Sequence, residues 1–232
     1  MTFGLLSTSE RKINNFRYLE VEEALLASLR LQPLIVVLRP QPDDLSTSLR
    51  PRPMLGLIEQ LVQAGVRHVE CAWSASPGWR ELILELNLCF SGLSLGAASV
   101  TSPEALAAVA ELRLAYAMTP CWNPAMQRQA LDFNQLLIPG VFSPTEVQQA
   151  CEFGCRIVKL FPASTLGIDY WHQLTAPFLG TPFVIAAGGL KVADLSGWLA
   201  AGHDAVALGR GLVVDGCIDP ALRSWLSSSR SS

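Results

Sequence analysis

What most constrains the fold of this chain is a strand–helix alternation that repeats eight times. Short apolar, β-rich runs fall at Pro33–Leu38, Val66–Trp73, Leu93–Ser99, Leu114–Pro120, Gln135–Val141, Arg156–Phe161, Phe183–Gly189 and Asp204–Gly209. Helix-like stretches separate them. Met54–Gly65 places Leu55, Ile58, Leu61 and Val62 at helical spacing and stops at a glycine suited to a left-handed cap. Ser102-Pro103-Glu104 and Ser143-Pro144-Thr145-Glu146 each open a helix with a capping serine and a proline at the first helical position. Lys191–Ala201 ends at Gly202 in the same way as the first helix. Strands alternating with helices make a parallel sheet, and eight of them close a small barrel. The predicted fold class is α/β, a single (β/α)8 TIM barrel. A doubly wound open sheet is the other arrangement, but no GxGxxG follows the first strand and no P-loop occurs. The composition suits one well-covered barrel core: 232 residues, 50% hydrophobic and only 16% charged.

Two segments fall outside the repeat. Residues 1–31 form an N-terminal extension ahead of the barrel and C-terminal helix of residues 32–232. The extension carries an amphipathic helix over Val21–Leu31, with Ala24, Leu25, Leu26, Leu29 and Leu31, which is expected to cover the open bottom of the barrel. The second segment, Pro40–Pro53, reads PQPDDLSTSLRPRP and is a loop. It follows the first strand, on the face where barrel strands end and sites are built. Lid and solvated insertion are its two readings.

Lys159 lies in the apolar run Arg156–Ala163, where a strand has little reason to hold a cation. Burial disfavours the ammonium form, and a neutral amine forms a Schiff base with a ketone. Alternate residues share a strand face, so Lys159 goes with Ile157 and Phe161. In Val66–Ser74, apolar Val69 and Trp73 suit contact with outer helices, which leaves His68, Glu70, Ala72 and Ser74 on the inner face. An inward Glu70 and an inward Lys159 make either a buried ion pair or the amine and proton shuttle of carbonyl chemistry. The last two strands end in Gly188-Gly189 and Gly209-Arg210-Gly211, where barrels bind phosphate, although tight turns also use glycine for geometry alone.

Other chemistries find little support. The three histidines, His68, His172 and His203, do not pair at metal-ligand spacing, so no metal site is expected. The six cysteines are irregularly spaced without CxxC and read as buried free thiols in a reducing cytoplasm. A net charge of −3 with no basic run argues against nucleic acid. No apolar stretch is long enough to span a membrane, and the first residues lack the pattern of a signal peptide.

Glu70 in VEC, GAASV at 96–100, Ala117-Met118-Thr119-Pro120, IPGVFSPTE at 138–146, VKLFPA at 158–163, AGG at 187–189 and GRG at 209–211 follow one another in a familiar order. Over about residues 32–215 the chain resembles the 2-keto-3-deoxy-6-phosphogluconate (KDPG) and 4-hydroxy-2-oxoglutarate (KHG) aldolases. The resemblance implies a class I aldolase on a (β/α)8 barrel, a homotrimer that needs no cofactor and takes a small keto acid. It implies Lys159 as the Schiff-base lysine and Glu70 as the general acid/base. It also implies Gly188, Gly189, Gly209 and Arg210 as phosphate loops, Pro120 and Phe161 as neighbours of the keto acid, and Arg39 as a basic residue beside it.

Three positions depart from the family pattern around the substrate carboxylate. Ser74 stands where the family usually has an arginine, and Ser99 and Ala187 stand where it has threonines. A carboxylate–arginine pair in a dry site contributes about 2–5 kcal/mol, and Arg39, Arg50 and Arg52 are the candidates to replace it. The expected reaction is cleavage of a 2-keto-3-deoxy-6-phospho sugar acid to pyruvate and an aldehyde, or of 4-hydroxy-2-oxoglutarate to pyruvate and glyoxylate. The alternative is an aldolase-like barrel with altered or lost activity that binds a phosphorylated metabolite.

Overall fold

The computed structural model describes residues 8–46, 48, 51–214 and 216–228. Nine parallel strand segments form one sheet: β1 (Leu34–Leu38), β2 (His68–Ala72), β3 (Ser94–Ala98), β4 (Tyr116–Met118), β5 (Leu137–Ile138), β6 (Gly140–Val141), β7 (Ile157–Leu160), β8 (Phe183–Ala187) and β9 (Ala205–Leu208). Their order is β5-β4-β3-β2-β1-β9-β8-β7-β6, which puts β5 and β6 at opposite edges. Those edges are two halves of one run, separated by Pro139 alone, so the sheet closes on itself. Pro139 has no N–H to offer the ladder, which splits the run, but its carbonyl accepts from Lys159 N at 2.8 Å. The predicted fifth strand is thus one barrel strand in two pieces, and the structure is the eight-stranded barrel expected from the alternation.

Side chains alternate between two cores with a period of two. Leu34, Val36 and Leu38 of β1, Val69 and Cys71 of β2, and Val158 and Leu160 of β7 pack outward under the helices. Ile35, Tyr116, Met118, Ile138, Ile157, Ile185 and Ala187 pack inward in a separate cluster. Burial on both faces is what a parallel barrel demands, and it explains why its strands read as short apolar runs.

The N-terminal helix spans Thr8–Leu31, longer than the predicted Val21–Leu31. Its Leu25, Leu26 and Leu29 join the inner cluster. Ser28 Oγ lies 2.7 Å from Nε2 of His68, the first residue of β2, so the helix seats against the strand starts. The other ring nitrogen, His68 Nδ1, is 3.1 Å from the Leu34 carbonyl. Burial pushes the His68 pKa down to about 4, so the ring is neutral and structural.

The capping expectations hold. Ser102 Oγ accepts from Ala105 N at 3.2 Å, and Ser143 and Glu146 form a reciprocal capping box. Gly65 ends the Pro53–Ala64 helix at φ 92°. Lys191–Ala201 differs: a 3-10 turn over Val192–Asp194 precedes a short helix, Leu195–Ala200. The cysteines are free, but only Cys71 and Cys155 are buried. Cys89, Cys121, Cys151 and Cys217 are exposed, which corrects the expectation of buried thiols. Among the described residues no helix is long and apolar enough to cross a membrane.

Leu29 is fully buried in the plug, so Leu29→Ala is expected to lower stability by about 2–5 kcal/mol, read from urea unfolding.

Candidate active site

Lys159 occupies the third position of β7, in register with Gly140 on one side and Ile185 on the other. It shares the inner face with Ile157 and Phe161, as the alternation predicts. Glu70 occupies the middle of β2, in register with Val37 and Gly96. Both side chains are withdrawn from solvent, Lys159 to 7% exposure and Glu70 to 1%. Both line one pocket of about 180 Å³.

The two groups make no direct ion pair, and Glu70 Oε1 has no hydrogen-bond partner. The arrangement is therefore not the closed structural pair that would neutralise both charges. Burial pushes the Lys159 pKa down to about 8; the Glu70 and Cys121 charges pull it up, and Arg39 pushes it down further. Burial pushes the Glu70 carboxyl up to about 7, against the opposing pull of Lys159 and Tyr116. Each group is moved toward its neutral form by the same dry surroundings. The Lys159 amine lies 5.0 Å from the centre of the Phe161 ring, whose face gives it a weak non-ionic neighbour.

The pocket gathers most of the residues singled out in the sequence. Arg39, Glu70, Ser99, Pro120, Lys159, Phe161, Ala187, Gly188, Gly189, Gly209 and Arg210 all line it. Ser99 holds φ at 60°, a left-handed conformation uncommon for a residue with a side chain. Gly188 and Gly189 sit at φ 100° and 81°, and a Cβ on Gly189 would lie 2.0 Å from Ser164 Oγ. Both positions of this turn lie in the left-handed region that favours glycine.

A family model described as KDPG and KHG aldolase matches residues 43–221. The chain belongs to the KDPG and KHG aldolase family. It is 29% identical over 181 residues to the 2-dehydro-3-deoxy-6-phosphogalactonate aldolase of Escherichia coli (strain K12), covering 78% of this chain and 84% of that one. It is 28% identical over 145 residues to the 2-dehydro-3-deoxy-phosphogluconate aldolase of Treponema pallidum (strain Nichols), covering 62% of this chain and 68% of that one. A solved structure titled "Native KDPGal structure" superimposes with a TM-score of 0.70 at 26% identity, covering 86% of this chain and 93% of the other. Class I aldolase-type lyase chemistry is the activity this family supports.

Ser74 does not line the pocket. It is half-buried two residues past the end of β2, and its Oγ accepts from Ser76 N at 3.2 Å in the turn leading to the helix Pro77–Cys89. Ser74, expected among the substrate-binding residues, is the one predicted site residue that stands outside the pocket lining. Arg52 is not a replacement grip either. It is 1% exposed, donates to the Gly78 carbonyl at 3.0 Å and to Glu81 at 2.9 Å, and pairs with Glu85 at 3.3 Å. Arg50 lies outside the described residues. Arg39 is the candidate that reaches the pocket.

The loop after β1 is anchored by Asp44, which accepts from Gln41 N at 2.9 Å and Met54 N at 2.7 Å. Gln41, Asp44 and Pro53 wall a larger cleft of about 490 Å³ that shares Val37, Arg39, Gly209 and Arg210 with the reaction pocket. The described part of this loop is therefore a wall. Lys159 and Glu70 line the smaller pocket and not the cleft. Sequence reasoning missed Val37, Ala98, Met118 and Ala207, apolar pocket residues that the inner-face alternation of their strands could have identified. It also missed Tyr116, buried beside Glu70.

Because Arg52 serves the fold, Arg52→Met is expected to lower stability by about 2 kcal/mol in urea unfolding and to leave the KM for a keto acid unchanged.

Proposed function

We propose that this protein is a Schiff-base aldolase that cleaves a 2-keto-3-deoxy-6-phospho sugar acid to pyruvate and glyceraldehyde 3-phosphate. The observation that carries this reading is the pair Lys159 and Glu70, buried in one pocket without neutralising each other.

Neutral Lys159 Nζ attacks the C2 ketone to give a carbinolamine. Glu70 delivers the proton with which the hydroxyl leaves as water, and an iminium forms. Loss of the proton from the C4 hydroxyl to the Glu70 carboxylate releases the aldehyde as the C3–C4 electron pair moves into the iminium. The resulting enamine takes a proton at C3. Water then adds to the imine, and pyruvate leaves with Lys159 free again. One amine and one proton shuttle suffice for every step. Arg39 supplies the cation for the substrate carboxylate in place of the arginine that Ser74 displaces. The Gly188-Gly189 and Gly209-Arg210 turns receive the phosphate through backbone N–H groups and the Arg210 charge. 4-Hydroxy-2-oxoglutarate is the competing substrate, and it uses the same lysine without the phosphate turns. The same reading takes the protein as a cytoplasmic homotrimer, which sedimentation in solution tests.

A second reading has one observation in its favour: Ser74, at a position where an arginine is usual, is absent from the pocket lining. It makes the protein a phosphometabolite-binding barrel without turnover.

Incubation with pyruvate and borohydride is expected to add a pyruvyl group to Lys159, located by peptide mass. Lys159→Met should lose both the adduct and cleavage. Folded protein that gives no adduct at millimolar pyruvate would favour the binding barrel. Only the neutral amine attacks, so the trapping rate should rise with pH through about 8, where a lysine of ordinary pKa would still be protonated until near 10.5. Glu70→Gln is expected to lower kcat by about 10²–10⁴ in a coupled cleavage assay. Arg39→Ala should raise KM by about tenfold or more while leaving Lys159 trappable.

A further inference from the structure

Three adjacent strands carry Glu70, Gly96 and Tyr116 at one level of the barrel. Glu70 is in register with Gly96, and Gly96 with Tyr116. A methyl group on Gly96 would come within 2.7 Å of Tyr116 Cζ and 2.8 Å of Cε2. The hydroxyl-bearing end of the phenol therefore lies across Gly96. That path takes it from β4 over β3 toward β2, where Glu70 stands.

Both side chains are buried, Tyr116 completely. Among the described residues of the barrel interior, Glu70 Oε1 and the Tyr116 hydroxyl are the fully buried side-chain polar atoms without a closed hydrogen bond. Burial pushes the phenol well above its usual pKa, and the carboxylate raises it further; burial also raises the carboxyl, which the phenol in turn lowers. A phenol held neutral in this way keeps its proton and remains a donor. A phenylalanine would fill the same space without taking a hydroxyl out of water, so packing alone does not account for tyrosine here.

We infer that Tyr116 is a positioning residue for Glu70: its hydroxyl, laid over Gly96, closes as a donor on the fully buried carboxyl oxygen when the carboxyl ionises, and leaves the other oxygen to the pocket. A donor to the ionised carboxyl favours the charged form and counters burial, which keeps Glu70 able to take up a proton near neutral pH. The other groups that bear on Glu70 are Lys159 from β7, acting by its charge, and Cys121 and Arg39, acting through Lys159. His68, one layer below on β2, is neutral and occupied by Ser28 and Leu34. Val37 and Gly96, its register neighbours, carry no charge. The consequence for turnover rests on the aldolase reading; the interaction itself does not.

The test is the titration of Glu70 in wild-type protein and in Tyr116→Phe, followed by isotope-edited infrared spectroscopy with Glu70→Gln to assign the band. The variant's carboxyl is expected to titrate about one pH unit higher, with Tm unchanged or raised. The acidic limb of the kcat/KM profile should move upward by the same amount, with Lys159 still trapped by pyruvate. Superimposable titrations overturn the inference, whatever the activity. A shifted carboxyl in a protein whose wild type never traps pyruvate supports the inference and sinks the aldolase reading alone. Should Tyr116→Phe not fold, Gly96→Ala, which displaces the ring, is expected to raise the Glu70 titration in the same direction, and an unchanged value there is equally fatal.

Discussion

Removal of an amine and a carboxyl from water inside one closed sheet is the constraint on which the rest of this protein depends. A charge in that interior loses its hydration, and only a close counter-ion or a set of hydrogen bonds restores it. Lys159 and Glu70 have neither in full. Their pKa values consequently move toward one another, the lysine down and the carboxyl up. A closed ion pair would have fixed both charges and removed the nucleophile. The open arrangement leaves each group able to exchange a proton, which is what carbonyl chemistry asks of them.

The scaffold enforces this dryness from one end and relieves it at the other. Leu25, Leu26 and Leu29 of the N-terminal helix close the barrel floor, and Ser28 and Leu34 occupy the buried His68 ring. At the opposite end the strands stop in glycines. Gly188, Gly189, Gly209 and Arg210 leave backbone and one cation at the rim, beside Arg39. The mouth is thus positive and rich in backbone, and the floor is hydrocarbon. An anionic keto acid entering there meets its counter-charges first and the amine last. Of these two cations, Arg39 also disfavours protonation of Lys159, so one charge at the mouth adds to the effect of burial on the amine.

Much of the barrel and of its site was legible in the chain. Strand positions follow from apolar runs, helix starts from Ser-Pro pairs, and the inner faces of β2 and β7 from simple alternation. Those patterns are local, so they survive without knowledge of the fold. Ser74 shows where such reasoning stops. Strict alternation assigns it to the inner face, but β2 ends at Ala72 and the backbone has already turned toward the next helix. Arg52 shows the same limit from another side, since nothing in PQPDDLSTSLRPRP reveals that its guanidinium is claimed by Glu81 and Glu85 on a helix some thirty residues further on.

The residue order by itself determined the parallel barrel, the direction of each strand's faces, and the presence of one amine and one carboxyl among inward positions. These follow from covalent geometry and side-chain polarity, which act over a few residues. Only the tertiary structure decided that the amine and carboxyl share a pocket without closing on each other, that Tyr116 reaches over Gly96 toward the carboxyl, and that Arg39 and not Arg52 joins Arg210 at the mouth. Those outcomes depend on desolvation and on distances between strands far apart in the chain, and neither quantity exists until the sheet has closed.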